Sequence, residues 1–441
     1  METPICDFID EYVEKNGIRL HMPGHKGKYF SGGEQRDLTE VNGTDGLIFR
    51  SETIAADIFG AARTVYSCQG CTSAIKQMLY LSFIHAKTSL RDPLVFAGRN
   101  AHKAFIAAAA EIGFDYRWIC DGEGNLLSQN VTPELLDRFI TSSDRKPASV
   151  YLTSPDYLGN VLDIKGLKKV CEKHGALLLI DNAHGAYLKF LPNDIHPIFL
   201  GADMCADSAH KTLPCLTGGA YLHINKAVNG VIGGYIEQAN FLFNSTSPSW
   251  LILSSLDKLN AYLTEGYRER LADYVEKVAE LKKYLIRLGF RLSGNEPLKI
   301  TISPKSYGYT GKDLAEILRK NAVEPEFCDK DHLTMMFTPE NGEAAIEKLR
   351  AVLNVEKKSP IEELPPEITL PKIALSARET ALCLSEEVSA ENALGRIFYG
   401  AAVACPPAVP VIVGGEIVDE NVLKCFSYYG ITKCRVLKTE K

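Results

Sequence analysis

Several features are missing from this 441-residue sequence, and each absence narrows the field. There is no excess of basic charge: 49 Lys and Arg stand against 55 Asp and Glu, a formal charge of −6. A dedicated nucleic-acid binder shows the opposite balance, so nucleic acid is not an expected partner. No apolar run reaches the ~18 residues of a spanning helix, and the runs Phe105–Ala110 and Ala176–Ile180 have the length of core elements. The first residues, METPICDFIDEYVEKNG, are acidic and lack the apolar stretch of a secretory signal. A soluble, cytoplasmic protein with no membrane partner is the expectation. No internal repeat recurs at solenoid periods.

The cysteines also lack something. There are 12, scattered from Cys6 to Cys434. In an unsecreted chain of this length free thiols are expected rather than a disulfide framework. Cys68 and Cys71 have CxxC spacing, but neither a second pair nor spaced histidines follow, so no metal site is expected. A redox role for the pair is the alternative to two small residues beside a tight turn.

What is present is an ordinary globular composition, 46% hydrophobic and 24% charged. The length suggests roughly two to four domains. From about residue 61 to 225, short apolar segments alternate with helical ones. Strand candidates are Leu94–Ala97, Val150–Thr153, Ala176–Asp181, Asp203–Asp207 and Gly219–Ile224. This alternation predicts an α/β fold with a mainly parallel sheet covered on both faces. Polar residues gather after the strand ends, where such sheets bind ligands.

Beyond this region, Trp250–Leu288 reads as helical, with Leu271, Tyr274, Val278, Leu281, Leu285 and Leu288 spaced mostly by three and four. A compact α+β unit follows. Its strand candidates are Leu298–Ile302 and Leu333–Phe337, and its helix candidates Gly311–Lys320 and Glu343–Val352. The charged, Pro-rich stretch 356–367 reads as a linker. A small C-terminal part remains, with a helix candidate at Ser376–Leu384.

Four polar groups stand out, and their order matters. Gly70, Thr72 and Ser73 open a helical stretch, where free N–H groups and the helix dipole favour a phosphate. The alternative there is a simple helix cap. His102 follows a strand, placed to stack on an aromatic ligand or to move protons, although a lone loop histidine is often just exposed. Asp181 ends a buried apolar run, a costly place for a carboxylate without a cation or a protonated ring nitrogen. Lys211 lies between apolar strands in Ser208-Ala209-His210-Lys211, a candidate Schiff-base lysine. Together they call for one ligand with a phosphate, an aromatic ring, a basic ring nitrogen and an aldehyde. Pyridoxal 5'-phosphate has all four.

At this point the chain resembles the Orn/Lys/Arg decarboxylases in their shorter form, within the aspartate-aminotransferase fold type of pyridoxal-phosphate enzymes. The likeness covers nearly the whole chain. It rests on Pro23-Gly24-His25-Lys26, on Thr39–Leu47, on Thr153–Gly159, on Ser208–Pro214 and on Cys405–Pro410 through Gly415-Glu416. The resemblance implies that Lys211 carries the cofactor, Asp181 holds the pyridinium proton and His102 stacks on the ring. It implies Thr72, Ser73 and Ser208 at the phosphate, His184 at the ring's polar edge, and His210 against the cofactor and able to move protons. Glu416 is a candidate for the distal cation of a basic amino acid, with an ordinary surface glutamate as the alternative. Departures from the family pattern are Gln69 and Cys71 in the phosphate loop, Thr44-Asp45 where two acids are usual, and Ala408 where a glycine is usual.

The implied organisation is an N-terminal segment (1–60) reaching an active site or dimer partner and a cofactor-binding large domain (61–249). A long helix with a small α+β domain (250–355) and a linker with a C-terminal α+β domain (356–441) complete it. The implied reaction is decarboxylation of lysine, ornithine or arginine by a homodimer or higher homo-oligomer. Two alternatives stay open. One is another reaction on the same fold, either a different lyase reaction or amino transfer, for which Arg396 is a candidate carboxylate grip. The other is a catalytically silent regulatory relative.

Overall fold

The computed structural model describes residues 1–28, 33–119, 130–367, 369–400, 402–405 and 409–438. Two compact units interleave along the chain. Met1–Arg91 joins Leu177–Leu271, and Asp92–Ala176 joins Ala272–Lys441. The strands that matter for function are β1 (Arg63–Ser67), β2 (Val95–Gly98), β3 (Tyr116–Ile119), β4 (Ser149–Thr153), β5 (Leu177–Asp181), β6 (Met204–Asp207) and β7 (Ala220–Ile224). The fold is α/β, and its large sheet is mostly parallel, as expected.

In the first unit the strand order is β1-β7-β6-β5. β5 is apolar until its last residue and is buried throughout, as a strand covered on both faces must be. It runs parallel to β6, with Asp181 opposite Ala206. β7 is antiparallel to both of its neighbours, pairing Tyr221 with Asp207 and Ala220 with Ser67. Its sequence looks like any other buried strand. The link 208–219 holds a single helical turn rather than a crossover helix, so the chain comes straight back. Two reversals cancel, so β1 points the same way as β5 and β6. The C-terminal ends of β1, β5 and β6 therefore share one edge with the start of β7.

Helices α1 (Pro4–Glu14), α2 (Leu47–Phe59) and α3 (Gly70–Thr88) belong to this unit. The first N–H groups of α1 have no cap nearby in sequence. They donate to Asp257 Oδ2, from Ile5 at 3.0 Å and from Cys6 at 2.9 Å, which pins the helix down.

The second unit holds β4-β2-β3, all parallel. Four antiparallel strands form its small sheet, in the order Phe327–Cys328, Leu333–Met336, Lys299–Ser303, Arg291–Ser293. Helices Gly311–Lys320 and Gly342–Val352 accompany them. The C-terminal part has its own core, including Phe398, Val411, Val418, Phe426 and Val436. Residues 356–367 form neither helix nor strand. Among the described residues, no helix is long and apolar enough to cross a membrane.

Three details differ from the sequence expectation. β1 and β3 fall outside the expected strands, although Thr64-Val65-Tyr66 and Tyr116, Trp118 and Ile119 carry the β-branched and aromatic types that favour strands. The long helical stretch divides into Trp250–Thr264 and Tyr267–Leu288, because Gly266 takes a left-handed φ of 69°. The helix expected at Ser376–Leu384 is only Ala377–Ala381, and a second helix, Glu420–Tyr429, follows it in the C-terminal part. Ser376 and Glu379 form a capping box that starts the shorter helix, but Leu382 and Leu384 are exposed and give it no apolar face to continue on.

Candidate active site

The edge shared by β1, β5, β6 and β7 gathers most of the expected residues. Lys211 sits in the single helical turn Ala209–Thr212, directly after β6. Its Nζ lies 3.2 Å from His184 Nε2, at hydrogen-bond distance. Asp181 ends β5 and is buried, with Oδ1 accepting the Ala183 N–H at 3.2 Å. Cys71, in the first turn of α3, registers how close these groups are. Burial pushes its thiol well above 9 and Asp181 pushes the same way, while Lys211 and a hydrogen bond with Ser208 pull back. The start of α3, Asp181, Lys211 and Ser208 thus share one small volume.

The loop into α3 is built on two glycines. Gly70 has φ +70° and donates its N–H to Gly218 O at 2.8 Å. Gly218 has φ +101°, and a Cβ there would stand 2.9 Å from Cys68 O. No side chain caps α3, so the N–H groups that follow Gly70 in its first turn are open to an anion, with the dipole behind them. His210 packs beside this loop. Its Nδ1 is 2.9 Å from Gly219 O, and its N–H donates to the same oxygen at 3.1 Å.

The three expected phosphate hydroxyls differ in setting. Ser208 is buried and bonded to Cys71. Thr72 is exposed on the first turn of α3. The Ser73 hydroxyl lies 2.8 Å from Phe243 O and 2.5 Å from Asn244 Oδ1, both acceptors that compete for its proton. A cavity of about 260 Å³ opens beside the loop, lined by Glu40, Glu52, Cys68, Gln69, Asn240 and Asn244 among others.

An amine, a buried carboxylate and an uncapped helix start with a hydroxyl beside it suit an aldehyde, a ring nitrogen and a phosphate. The donor set therefore fits pyridoxal phosphate. Cys68 and Cys71 are free thiols, and burial pushes Cys68 up to about 11. A thiol raised in this way is a poor nucleophile at neutral pH.

The other candidates belong to the second unit. His102 Nδ1 accepts the Ala104 N–H at 3.2 Å and caps Lys103–Ala108. Glu416 is completely buried. Arg99 Nη1 and Nη2 donate to its two oxygens, each at 2.9 Å. Trp118 Nε1 at 3.2 Å and Val413 N at 2.9 Å also donate to it. The charge of Glu416 is thus matched inside the chain. Arg396 donates to Glu386 at 2.7 Å and to Leu437 O at 2.6 Å. Pro406, Pro407 and Ala408 lie outside the described residues. Four buried residues near the shared edge were not anticipated as a group: Asn182, His196, Asp207 and His223. Two histidines in strongly apolar surroundings are the signal that points to them.

Comparison with known proteins agrees with the geometry. The family model described as Orn/Lys/Arg decarboxylase, major domain, matches residues 31–305. An arginine decarboxylase of Bacillus subtilis (strain 168) is 27% identical over 470 aligned residues, covering 96% of this chain and 93% of the relative. An arginine decarboxylase of Halalkalibacterium halodurans is 26% identical over 464, covering 96% and 92%. The constitutive lysine decarboxylase of E. coli superposes with a TM-score of 0.78 at 17% identity, covering 99% of this chain and 82% of that one, a likeness of fold.

Proposed function

Because the chain belongs to the Orn/Lys/Arg decarboxylase family, we propose that it uses pyridoxal phosphate to release CO₂ from a basic amino acid. One observation carries the reading: Lys211 Nζ lies 3.2 Å from His184 Nε2, in the volume that also holds Asp181 and Ser208. Bound there, the cofactor supplies an aldehyde for an amine and a ring that accepts electrons. Lys211 would hold it through Nζ and release it to the substrate amine. Asp181 would pair with the proton on the ring nitrogen. The first N–H groups of α3, with Thr72, Ser73 and the Ser208 hydroxyl, would hold the phosphate. His184 would steady both Lys211 Nζ and the ring's polar edge, and His102 would stack on the ring. Asp181, Asn182, His184 and Ser208 are all buried. A poorly hydrated site favours a charged carboxylate leaving as neutral CO₂. Lys211 Nζ or His210 would then return a proton to the substrate carbon.

Arginine is the first substrate to test, since relatives spanning 96% of the chain are named arginine decarboxylases. Lysine and ornithine are the alternatives. The decisive experiment is a visible spectrum with and without added pyridoxal phosphate, followed by CO₂ release from each amino acid. The expected outcome is a visible band and turnover, both abolished in Lys211→Ala. No band with excess cofactor would end this reading. We also read the protein as a homodimer, supported by the apolar Val231, Phe241 and Leu242 exposed along 226–243. Light scattering on the purified protein checks it.

A further inference from the structure

Just inside the shared edge lies a polar cluster that the chemistry above does not use. Asp207, the last residue of β6, is completely buried next to Ser208. Its Oδ1 accepts Asn182 Nδ2–H at 2.8 Å and the Cys205 S–H at 3.2 Å. Its Oδ2 accepts from His196 Nε2 at 2.9 Å and faces His223 Nε2 at 3.4 Å.

The far ring nitrogen of His196 fixes where its proton sits. His196 Nδ1 accepts the Ile198 N–H at 3.3 Å, so its proton is on Nε2. His223 Nδ1 lies 2.8 Å from the Thr64 hydroxyl, at hydrogen-bond distance, and its Nε2 faces Asp207. Burial also lowers the His223 pKa, towards the same neutral form. Asp207 thus accepts from Asn182, Cys205 and His196, with His223 beside it. Two histidines and a carboxylate also make a metal donor set. Here, however, the 2.9 Å between His196 Nε2 and Asp207 Oδ2 is a hydrogen bond, and that nitrogen carries a proton.

Burying a charge this deeply is costly, and its location gives it a purpose. Asn182 follows Asp181 at the end of β5, and its own N–H donates to Ala206 O at 2.9 Å. Asp207 precedes Ser208 and the Lys211 turn. One carboxylate thus ties the strand end bearing Asp181 to the strand end bearing Lys211. His223 and Thr64 extend the tie to β7 and β1. We propose that Asp207, oriented by His196 and His223, is a positioning residue that fixes Asp181 relative to Lys211. The proposal rests on the pyridoxal-phosphate reading above.

The test uses the intact protein with added pyridoxal phosphate, as the unmodified chain, Asp207→Asn, His223→Gln and His223→Leu. Visible circular dichroism reports the orientation of the bound cofactor. Borohydride reduction with mass spectrometry counts the lysines that carry it, so turnover is expressed per loaded site. In Asp207→Asn the dichroic band should change and kcat per loaded site should fall by about 100-fold, with KM little altered. His223→Gln, whose amide N–H replaces Nε2–H, should restore both readouts, and His223→Leu should not. If Asp207→Asn does not fold, the His223 pair decides. A normal band and normal turnover per site in Asp207→Asn, or in His223→Leu, would overturn the proposal. So would a stoichiometric divalent metal in the purified protein, or NMR showing His196 doubly protonated at neutral pH. A missing band in the unmodified chain would instead bring down the cofactor reading, and the positioning role with it.

Discussion

Asp207 in the first unit and Glu416 in the second are both fully buried, yet their partners differ in kind. Glu416 meets a guanidinium in a two-pronged pair, plus an indole and a backbone N–H. Asp207 meets imidazoles, an amide and a thiol. Burial pushes both carboxyls up. At Asp207 the two histidines more than reverse it and hold the group well below the usual carboxylate range. At Glu416 burial prevails over Arg99, and the carboxyl stays raised. The contrast teaches that a formal counter-charge does not by itself fix the ionisation of a buried acid. The balance between desolvation and the charges and donors that converge on the group does.

The sharpest way to break the comparison is to remove one partner from the charged pair. Glu416→Gln strands a guanidinium that cannot give up its proton, at a cost of about 3–5 kcal/mol. Arg99→Gln leaves an acid that can neutralise itself by taking a proton, so it should cost less. The double change Arg99→Met with Glu416→Leu removes both charges and should recover most of the loss. Urea unfolding of the three variants measures this, and equal costs for the two single changes would contradict the asymmetry.

Glu52 extends the comparison to an acid with few donors. It accepts the Tyr66 N–H at 2.9 Å, and Arg63 stands 3.7 Å away. Burial dominates and raises it from 4.5 to about 7. The sign follows from proton linkage. Because the folded state binds this proton more tightly, the stabilisation is complete below about pH 4.5 and is lost as pH rises through about 7. Relative to Glu52→Gln, the unmodified chain should lose up to ~3 kcal/mol across that window. Thermal unfolding of both proteins at pH 5 and pH 8 reads it, and a constant difference would count against a buried, proton-hungry Glu52.

Much of this frame was legible in the sequence, for a physical reason. β5 had to be all apolar because both of its faces are covered, so the acid at its end stood out. Lys211 stood out because a lysine between buried strands needs a task. The Gly70 loop was visible because only glycine accepts its left-handed backbone without strain. What stayed hidden depends on pairing. The reversal of β7 is a matter of topology rather than composition. The histidines of the Asp207 cluster are separated from each other in sequence: His223 meets Asp207 through strand register, and His196 reaches it from the loop before β6. Glu416 came to notice only through the resemblance of Cys405–Pro410 and Gly415-Glu416 to the family pattern. Its partner, on the far side of the sequence at Arg99, could not be read from spacing.

Asp207→Asn gives the smallest stability change of the series. Asparagine keeps one acceptor oxygen and aims its N–H₂ at donors on the other side. The mismatch should cost about 1–3 kcal/mol, the range for an unsatisfied buried polar group, because no full charge is left behind. The pH dependence runs opposite to that of Glu52. The folded-state pKa of Asp207 is depressed. Its stabilisation is therefore present above the unfolded value of ~3.9 and is lost as pH falls towards the folded one. The unmodified chain should exceed Asp207→Asn in stability at pH 6 and lose that lead steadily below about pH 4. Paired urea unfolding at pH 6, 4 and 3 measures the lead. A lead that grows as pH falls from 6 to 4 would mean that Asp207 is already protonated when folded, and a lead that stays constant would mean that folding leaves its pKa where it was; either would count against a buried anion.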